Sequence, residues 1–331
     1  MVVANPNHHR AEKITEDIQL PVIDLLSDPS QSSKHIVKAC EQFGFFKVIN
    51  HGVPPEIISR MEQESLDFFS KPGCEKLRTG PANPYGYGCK SIGLNGDIGE
   101  VEYLLLQANP HIVSQNSLYI SGDPNKFRCA VNGYVEALRK LACEILDLMA
   151  RGLGLGLGLG SPQVSTSVLS GLIRDVVNTD SLLRLNHYPP VEAASKIGFG
   201  EHTDPQILTL LRSNGVGGLQ ISLEDGVWIP VNPHPVSAFC VNVGDVLQVM
   251  TNGRFLSVRH RAMVNSFETR MSMAYFAAPS MDTTICCLPE LATPQKPSLY
   301  KTFTWGEYKK AAYTRRLGDS RLNLFKMKQD D

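Results

Sequence analysis

Two histidines and an aspartate, His202, Asp204 and His260, are the residues of this chain whose types and spacing could do chemistry. Two imidazoles and one carboxylate are the set that holds a non-haem Fe(II) on one triangular face, leaving positions open for a substrate and dioxygen. In an extended strand the side chains at i and i+2 share a face, so His202 and Asp204 can reach one metal together. His260 lies far along the chain and must return to the site on another strand. With nine histidines in the chain, an H-x-D pair can arise by accident, and the weight rests on the whole set.

Arg270 and Ser272 repeat the i, i+2 arrangement shortly after His260. A guanidinium beside a hydroxyl forms a fork suited to a carboxylate, which reads as a clamp for a dicarboxylate near a metal. Upstream, the run Leu183-Arg184-Leu185-Asn186-His187-Tyr188 ends in Pro189-Pro190 and places the Tyr188 hydroxyl where it could donate to the same carboxylate. His187 alternates away from Asn186 and Tyr188 and is read as structural, as are His8, His9, His35, His51, His111 and His234.

The segments Phe43–Gly52 (FGFFKVINHG), Asn186–Pro189, Gly198–Leu211 (GFGEHTDPQILTLL), Gly218–Val231 (GLQISLEDGVWIPV), Asn242–Asn252 (NVGDVLQVMTN) and Arg270–Pro279 span almost the whole chain. Together they resemble the plant 2-oxoglutarate- and Fe(II)-dependent dioxygenases. Gly80–Leu106 (GPANPYGYGCKSIGLNGDIGEVEYLLL) resembles the gibberellin 2-oxidase branch, in the class acting on nineteen-carbon gibberellins. The resemblance implies a mainly β fold, a distorted double-stranded β-helix or jelly roll with a helical buttress. It implies that His202, Asp204 and His260 are iron ligands, that Arg270, Ser272 and Tyr188 hold the distal carboxylate of 2-oxoglutarate, and that Asn186 positions the co-substrate or the local turn. The implied reaction consumes 2-oxoglutarate and dioxygen, gives succinate and carbon dioxide, and inactivates the hormone by 2β-hydroxylation; ascorbate is expected to support turnover. Two features depart from the family pattern: the repetitive run Gly152–Gly160 (GLGLGLGLG), and Glu100, where relatives of this branch often carry an aromatic ring.

For the substrate wall the candidates are Tyr85, Tyr87, Lys90, Tyr103, Phe199, Phe276 and Tyr313, with Lys90, Arg315 or Arg316 available to pair an acid. A ring-lined pocket would desolvate a rigid apolar skeleton. The bland reading for the same residues is core packing and a solvated basic face. Other readings stay open: a sister oxygenase such as a gibberellin 3-oxidase or a flavonoid oxygenase, and a non-catalytic ligand-binding relative or a zinc hydrolase on the same three ligands. The last two would not require Arg270 and Ser272.

Composition agrees with a small-molecule enzyme. The chain has 331 residues, 42% hydrophobic and 20% charged, enough to bury a large core. A net charge of −1 offers no basic field for nucleic acid or membrane. No secretory leader or membrane-length apolar run is evident, so a soluble protein of the cytoplasm is expected, with the nucleus as a second compartment. The eight cysteines read as reduced, mostly buried thiols. Self-association stays open.

A single catalytic domain over residues 1–331 is expected. Its parts are a flexible arm over 1–17, a helix-rich region over 18–160, a jelly-roll core over 181–290 and a helical C-terminal part over 300–331. Strand signals fall at Leu20–Leu25, Phe45–Ile49, Ile207–Leu211, Leu219–Ile221, Ala238–Val243 and Met273–Ala277. Helices are expected at Ser33–Gln42, Pro54–Phe69 and Phe127–Met149, the last with Tyr134, Leu138, Leu141, Ile145 and Leu148 on one stripe. Alternating glycines after Met149 invite a phosphate-loop reading, but they follow a long helix rather than a strand, so a helix end and loop is preferred.

Overall fold

The computed structural model describes residues 13–15, 18–92, 95–155, 168–192, 197–223 and 226–327. Along the chain come β1 (Lys13–Ile14), β2 (Val22–Asp24), α1 (Pro29–Gln42), β3 (Phe45–Ile49), α2 (Pro55–Phe69), α3 (Gly73–Lys76), β4 (Gly86–Ile92), β5 (Asp97–Gln107), α4 (Pro110–Ile120), α5 (Pro124–Gly152) and α6 (Val168–Gly171). There follow β6 (Leu182–Tyr188), β7 (Ile197–His202), β8 (Leu208–Ser213), β9 (Leu219–Leu223), β10 (Val227–Pro230), β11 (Phe239–Val243), α7 (Asp245–Met250), β12 (Arg259–Met263), β13 (Arg270–Ala277), β14 (Thr284–Ile285), β15 (Phe303–Thr304) and α8 (Trp305–Tyr313).

From β6 to β13 the strands divide between two sheets in the manner of a jelly roll, and β14 pairs only with β15. One sheet runs β2-β3-β11-β8-β13-β6-β5-β4 and the other β1-β10-β9-β12-β7. β6 and β13, distant in sequence, are antiparallel neighbours with Arg270 opposite Tyr188, Ser272 opposite Asn186, Ala274 opposite Arg184 and Phe276 opposite Leu182. Strand side chains alternate, so these residues all face the second sheet, while Leu183, Leu185, Met273 and Tyr275 face the helices. The latter four join the large apolar cluster that includes Phe127, Tyr134, Leu138, Leu141 and Ile145 of α5. A second, smaller cluster between the sheets holds Leu182, Tyr188, Phe199, Ala262 and Val264.

α5 is the buttress. It starts at Pro124 rather than Phe127 because the Asp123 side chain caps it, accepting from the Lys126 amide, with proline in the first turn. Tyr134, Leu138, Leu141 and Ile145 are buried as the stripe requires, and Leu148 is half-buried. At the far end a Cβ on Gly152 would meet the Ser33 carbonyl oxygen of α1 at 2.6 Å, so only glycine lets the two helices approach there. Leu153 caps the helix. The rest of the glycine run, from residue 156 on, lies outside the described residues, as do residues 1–12.

Three expectations need correction. Lys13–Ile14, assigned to a flexible arm, pair in parallel with Val227–Trp228 at the edge of the smaller sheet, because backbone hydrogen bonding is available there whatever the side chains. The helix-rich region supplies, besides the expected strands β2 and β3, the unforeseen β4 and β5, so that it makes half of the larger sheet; the β4–β5 ribbon docks on β6 with Tyr103 opposite Asn186 and Leu105 opposite Arg184. The eight cysteines are free, as expected, but Cys74, Cys89, Cys129 and Cys286 are exposed. Cys129 lies on the solvent face of α5, Cys89 on the edge strand β4, Cys74 in the short helix α3 and Cys286 just after β14, away from the core stripes. No helix among the described residues is long and apolar enough to cross a membrane.

Candidate active site

His202 ends β7, and His260 on β12 stands directly opposite it, with ring centroids 4.3 Å apart. Asp204 follows two residues later and returns to the same side. Its Oδ1 lies 3.6 Å from Nε2 of each histidine, and all three ligand atoms lie within 4.8 Å of one another. At 3.6 Å these are not hydrogen bonds. The atoms instead surround a common point between the sheets.

The rest of each ligand is already engaged. Nδ1 of His202 faces the Gly200 carbonyl at 2.7 Å and Nδ1 of His260 faces the Val258 carbonyl at 3.1 Å, an arrangement that assigns the proton to Nδ1 and leaves the Nε2 lone pair free. Oδ2 of Asp204 accepts from the Thr209 hydroxyl at 2.7 Å and the Asn242 amide at 3.2 Å, which turns Oδ1 toward the histidines. Burial, with His260 beside it, holds the His202 imidazolium well below its ordinary value, favouring the neutral ring a metal requires. Behind the cradle the Asp245 amide donates to the Asp204 carbonyl, while the Asp245 carboxylate accepts from Thr203 and Tyr308. Three free lone pairs converging from two imidazoles and one carboxylate fit Fe(II).

Across the cavity floor, Arg270 and Ser272 of β13 face Tyr188 and Asn186 of β6. Arg270 is 2% exposed, its guanidinium 5.0 Å from the Tyr188 ring centre, and Nη1 donates to Ser272 Oγ at 3.4 Å. Asn186 Nδ2 donates to the same Oγ at 3.3 Å. Nε of Arg270 is buried with no partner. A Cβ on Gly198 would fall 2.6 Å from the Tyr188 ring, so the glycine makes room for it. Leu211, Leu219, Ala262 and Phe276 close a cavity running from this fork to His202, Asp204 and His260. It can seat a short dicarboxylate, gripped at one end and facing the metal at the other.

An outer cavity of about 150 Å³ continues past the ligands, walled by Ile92, Tyr103, Leu105, Leu182, Phe199, Phe276, Tyr313 and Leu317. Of the residues singled out from sequence, Tyr103, Phe199, Phe276, Tyr313 and Arg315 line it. Lys90 does not. It sits at φ +60° in a bulge of β4, with its side chain 67% exposed and paired to Glu100 at 3.1 Å. Tyr85 turns instead to Lys309 and Asp180, and Tyr87 is buried behind the sheet donating to Glu102. Arg316 is exposed and lies outside the lining. His187 points away from the site as expected, its Nδ1 2.7 Å from Glu102 and its ring stacked on Phe69. His51 also stays structural, contacting the Ser237 carbonyl at 2.7 Å.

Sequence reasoning passed over Thr209, Asn242 and Arg184. The alternation that turned His187 outward also turns Arg184 inward, beside Asn186 and Tyr188, so the signal for Arg184 was present. Nothing local marks Thr209 or Asn242 as partners of Asp204.

Comparisons with known proteins agree with this geometry. Residues 179–279 match the 2OG-Fe(II) oxygenase superfamily, and residues 20–100 match the N-terminal region described as non-haem dioxygenase in morphine synthesis. The chain is 53% identical to gibberellin 2-beta-dioxygenase 4 of Arabidopsis thaliana, over 96% of this chain and 98% of that protein. It is 48% identical to the gibberellin 2-beta-dioxygenase of Phaseolus coccineus, over 94% and 92%. Among solved structures it resembles JOX2 in complex with 2OG, Fe and JA, at 30% identity and a TM-score of 0.81, covering 96% of this chain and 91% of that one.

Proposed function

The chain belongs to the 2OG-Fe(II) oxygenase superfamily, within the gibberellin 2-beta-dioxygenases, and from that premise we propose that it hydroxylates nineteen-carbon gibberellins at the 2β position. It is an Fe(II)- and 2-oxoglutarate-dependent dioxygenase acting on a small molecule. The observation that carries the substrate reading is the ring-walled outer cavity, which shares Arg184, Phe199, His202, Asp204 and Phe276 with the cavity of the co-substrate.

Held by His202, Asp204 and His260, Fe(II) would supply, with 2-oxoglutarate and dioxygen as co-substrates, the oxidation of a C–H bond to an alcohol, with succinate and carbon dioxide as co-products. The protein's part is placement. His202, Asp204 and His260 hold the metal on one face, and Arg270, Ser272 and Tyr188 grip the far carboxylate. Phe199, Phe276, Leu105 and Leu182 exclude water and set which carbon faces the metal, a choice that small displacements would spoil. Ascorbate sustains turnover, and the protein works in the cytoplasm, with the nucleus as a second compartment.

The test is turnover by the purified protein, with Fe(II) and 2-oxoglutarate, on a panel of nineteen-carbon gibberellins, flavonoids and other small acids. The expected result is a 2β-hydroxylated gibberellin formed in step with succinate. Turnover of another acid with no 2β product from any gibberellin would replace this reading with that of a sister oxygenase.

A further inference from the structure

Arg184 sits where the co-substrate cavity opens into the outer one and lines both. Its guanidinium is clasped between two rings, 3.8 Å from the centre of Tyr103 and 4.5 Å from that of Phe199. Nε donates to Asn186 Oδ1 at 2.7 Å. Nη2 is buried and has no partner, and no carboxylate among the described residues pairs with the group. An arginine keeps its charge at all accessible pH, and a buried cation with no carboxylate in direct contact is costly unless a ligand brings one.

The other two cations of the outer cavity are placed differently. Arg315 is exposed. Arg321, whose Nε is also unpartnered, donates from Nη1 to the Thr203 carbonyl and lies behind the metal ligands, in the field of the buried Asp245 carboxyl. Arg270 and Ser272, deeper on the same floor, already form a fork for the co-substrate. Arg184 is thus the buried cation set between rings in a chamber walled mainly by aromatic and aliphatic side chains, the complement of a rigid hydrocarbon that carries one acid group.

We propose that Arg184 reads the carboxylate of the substrate and that Asn186 positions it, tying the substrate site to the co-substrate fork. The link is a chain of hydrogen bonds: Arg184 Nε to Asn186 Oδ1, Asn186 Nδ2 to Ser272 Oγ, and Arg270 Nη1 to that same Oγ. Its direction is set by chemistry. Arginine only donates, so the Asn186 amide must present oxygen to Arg184 and its NH2 to Ser272. A carboxylate seated on the fork orders Ser272, hence Asn186, hence the Arg184 plane. By linkage, each acid then favours the binding of the other.

The assignment rests on the gibberellin reading above, and the experiment separates the two. Binding is measured by calorimetry without dioxygen, with Ni(II) in place of iron, using a nineteen-carbon gibberellin, its methyl ester and 2-oxoglutarate as probes. For the wild type the acid should bind about 10- to 100-fold more tightly than the ester, the worth of a charge-assisted pair. Arg184→Met should bind acid and ester alike, at the strength of the wild-type ester, with 2-oxoglutarate affinity within about twofold of wild type. Asn186→Ala should keep a preference for the acid while losing the tightening that 2-oxoglutarate confers.

If Arg184→Met loses 2-oxoglutarate affinity and keeps its preference for the acid, Arg184 belongs to the co-substrate site and the proposal falls. Should Arg184→Met fail to fold, Arg184→Lys keeps a charge without the planar fork; an acid preference reduced but present supports the assignment, and an unchanged one overturns it. If the wild type binds no gibberellin, the substrate reading fails. The same acid-against-ester comparison on other apolar acids then decides the role of Arg184: preference lost in Arg184→Met upholds it, and preference retained ends it.

Discussion

The metal cradle and the outer cavity adjoin one another yet are built on opposite terms. In the cradle the ligand atoms that do not face the centre are occupied: Nδ1 of both histidines by backbone carbonyls, and Oδ2 of Asp204 by Thr209 and Asn242. Around the fork of Arg270 and Ser272 and the outer cavity, buried donors are left without partners, at Arg270 Nε and Arg184 Nη2. The cradle is organised by the protein before anything binds. The cavity residues are completed by their ligands, so perturbing them should move affinities rather than the metal.

His202→Ala tests that contrast most severely. Activity should fall by at least about a thousand-fold and iron content should drop toward zero, with the fold retained by circular dichroism. Retained turnover would break the ligand assignment. Arg270→Ala should raise the KM for 2-oxoglutarate by about 10- to 150-fold, the worth of a hydrogen-bonded charge, while hormone affinity, measured at saturating co-substrate, changes far less. Equal losses for both would mean a collapsed pocket and would erase the distinction between regions. Thr209→Val removes one of the two donors to Asp204 Oδ2; iron affinity, read by chelator competition, should weaken about 10-fold or more. Unchanged iron binding would show that Asn242 alone orients the carboxylate.

The smallest effect on activity should come from the far side of β5, where Glu102 accepts from His187, Lys76 and Tyr87. Burial would raise this carboxyl, but those hydrogen bonds outweigh it and hold it down at about 2. A carboxyl lower in the folded state than in the unfolded chain contributes stability above its unfolded value, and that stability is lost as pH falls through the folded one. Thermal unfolding should therefore show the wild type losing an advantage over Glu102→Gln as pH drops from about 5 toward 2, with turnover at neutral pH within about twofold. A large loss of turnover at neutral pH would mean that the network behind β6 governs the site in front of it.

Much of the site was legible because its signals are local. The i, i+2 rule put Arg270 with Ser272 and Asn186 with Tyr188 and turned His187 away, which needs only a strand; it also put His202 with Asp204, although β7 ends at His202 and Asp204 lies just beyond it. The stripe of α5 was legible for the same reason, since Tyr134, Leu138, Leu141 and Ile145 repeat at helical spacing. The misplaced residues failed where a local rule ran out. Lys90 lies in a bulge that rotates it to solvent, and Lys13–Ile14 gained a strand partner at Val227–Trp228 that no nearby residue announces. Arg184 obeyed the alternation, but its importance lay in what it lacks, a carboxylate in direct contact, and that is visible only once its neighbours are in place.

By itself, then, the sequence determined which side chains could ligate, grip or line, and which face of its own strand each would take, because those properties are set within a few residues. Tertiary structure alone decided that His260 stands opposite His202, that Thr209 and Asn242 steady Asp204, and that Tyr103 and Phe199 close over an unpaired Arg184. Cross-strand register and burial arise from contacts between distant segments, and those exist only when the two sheets have closed on each other.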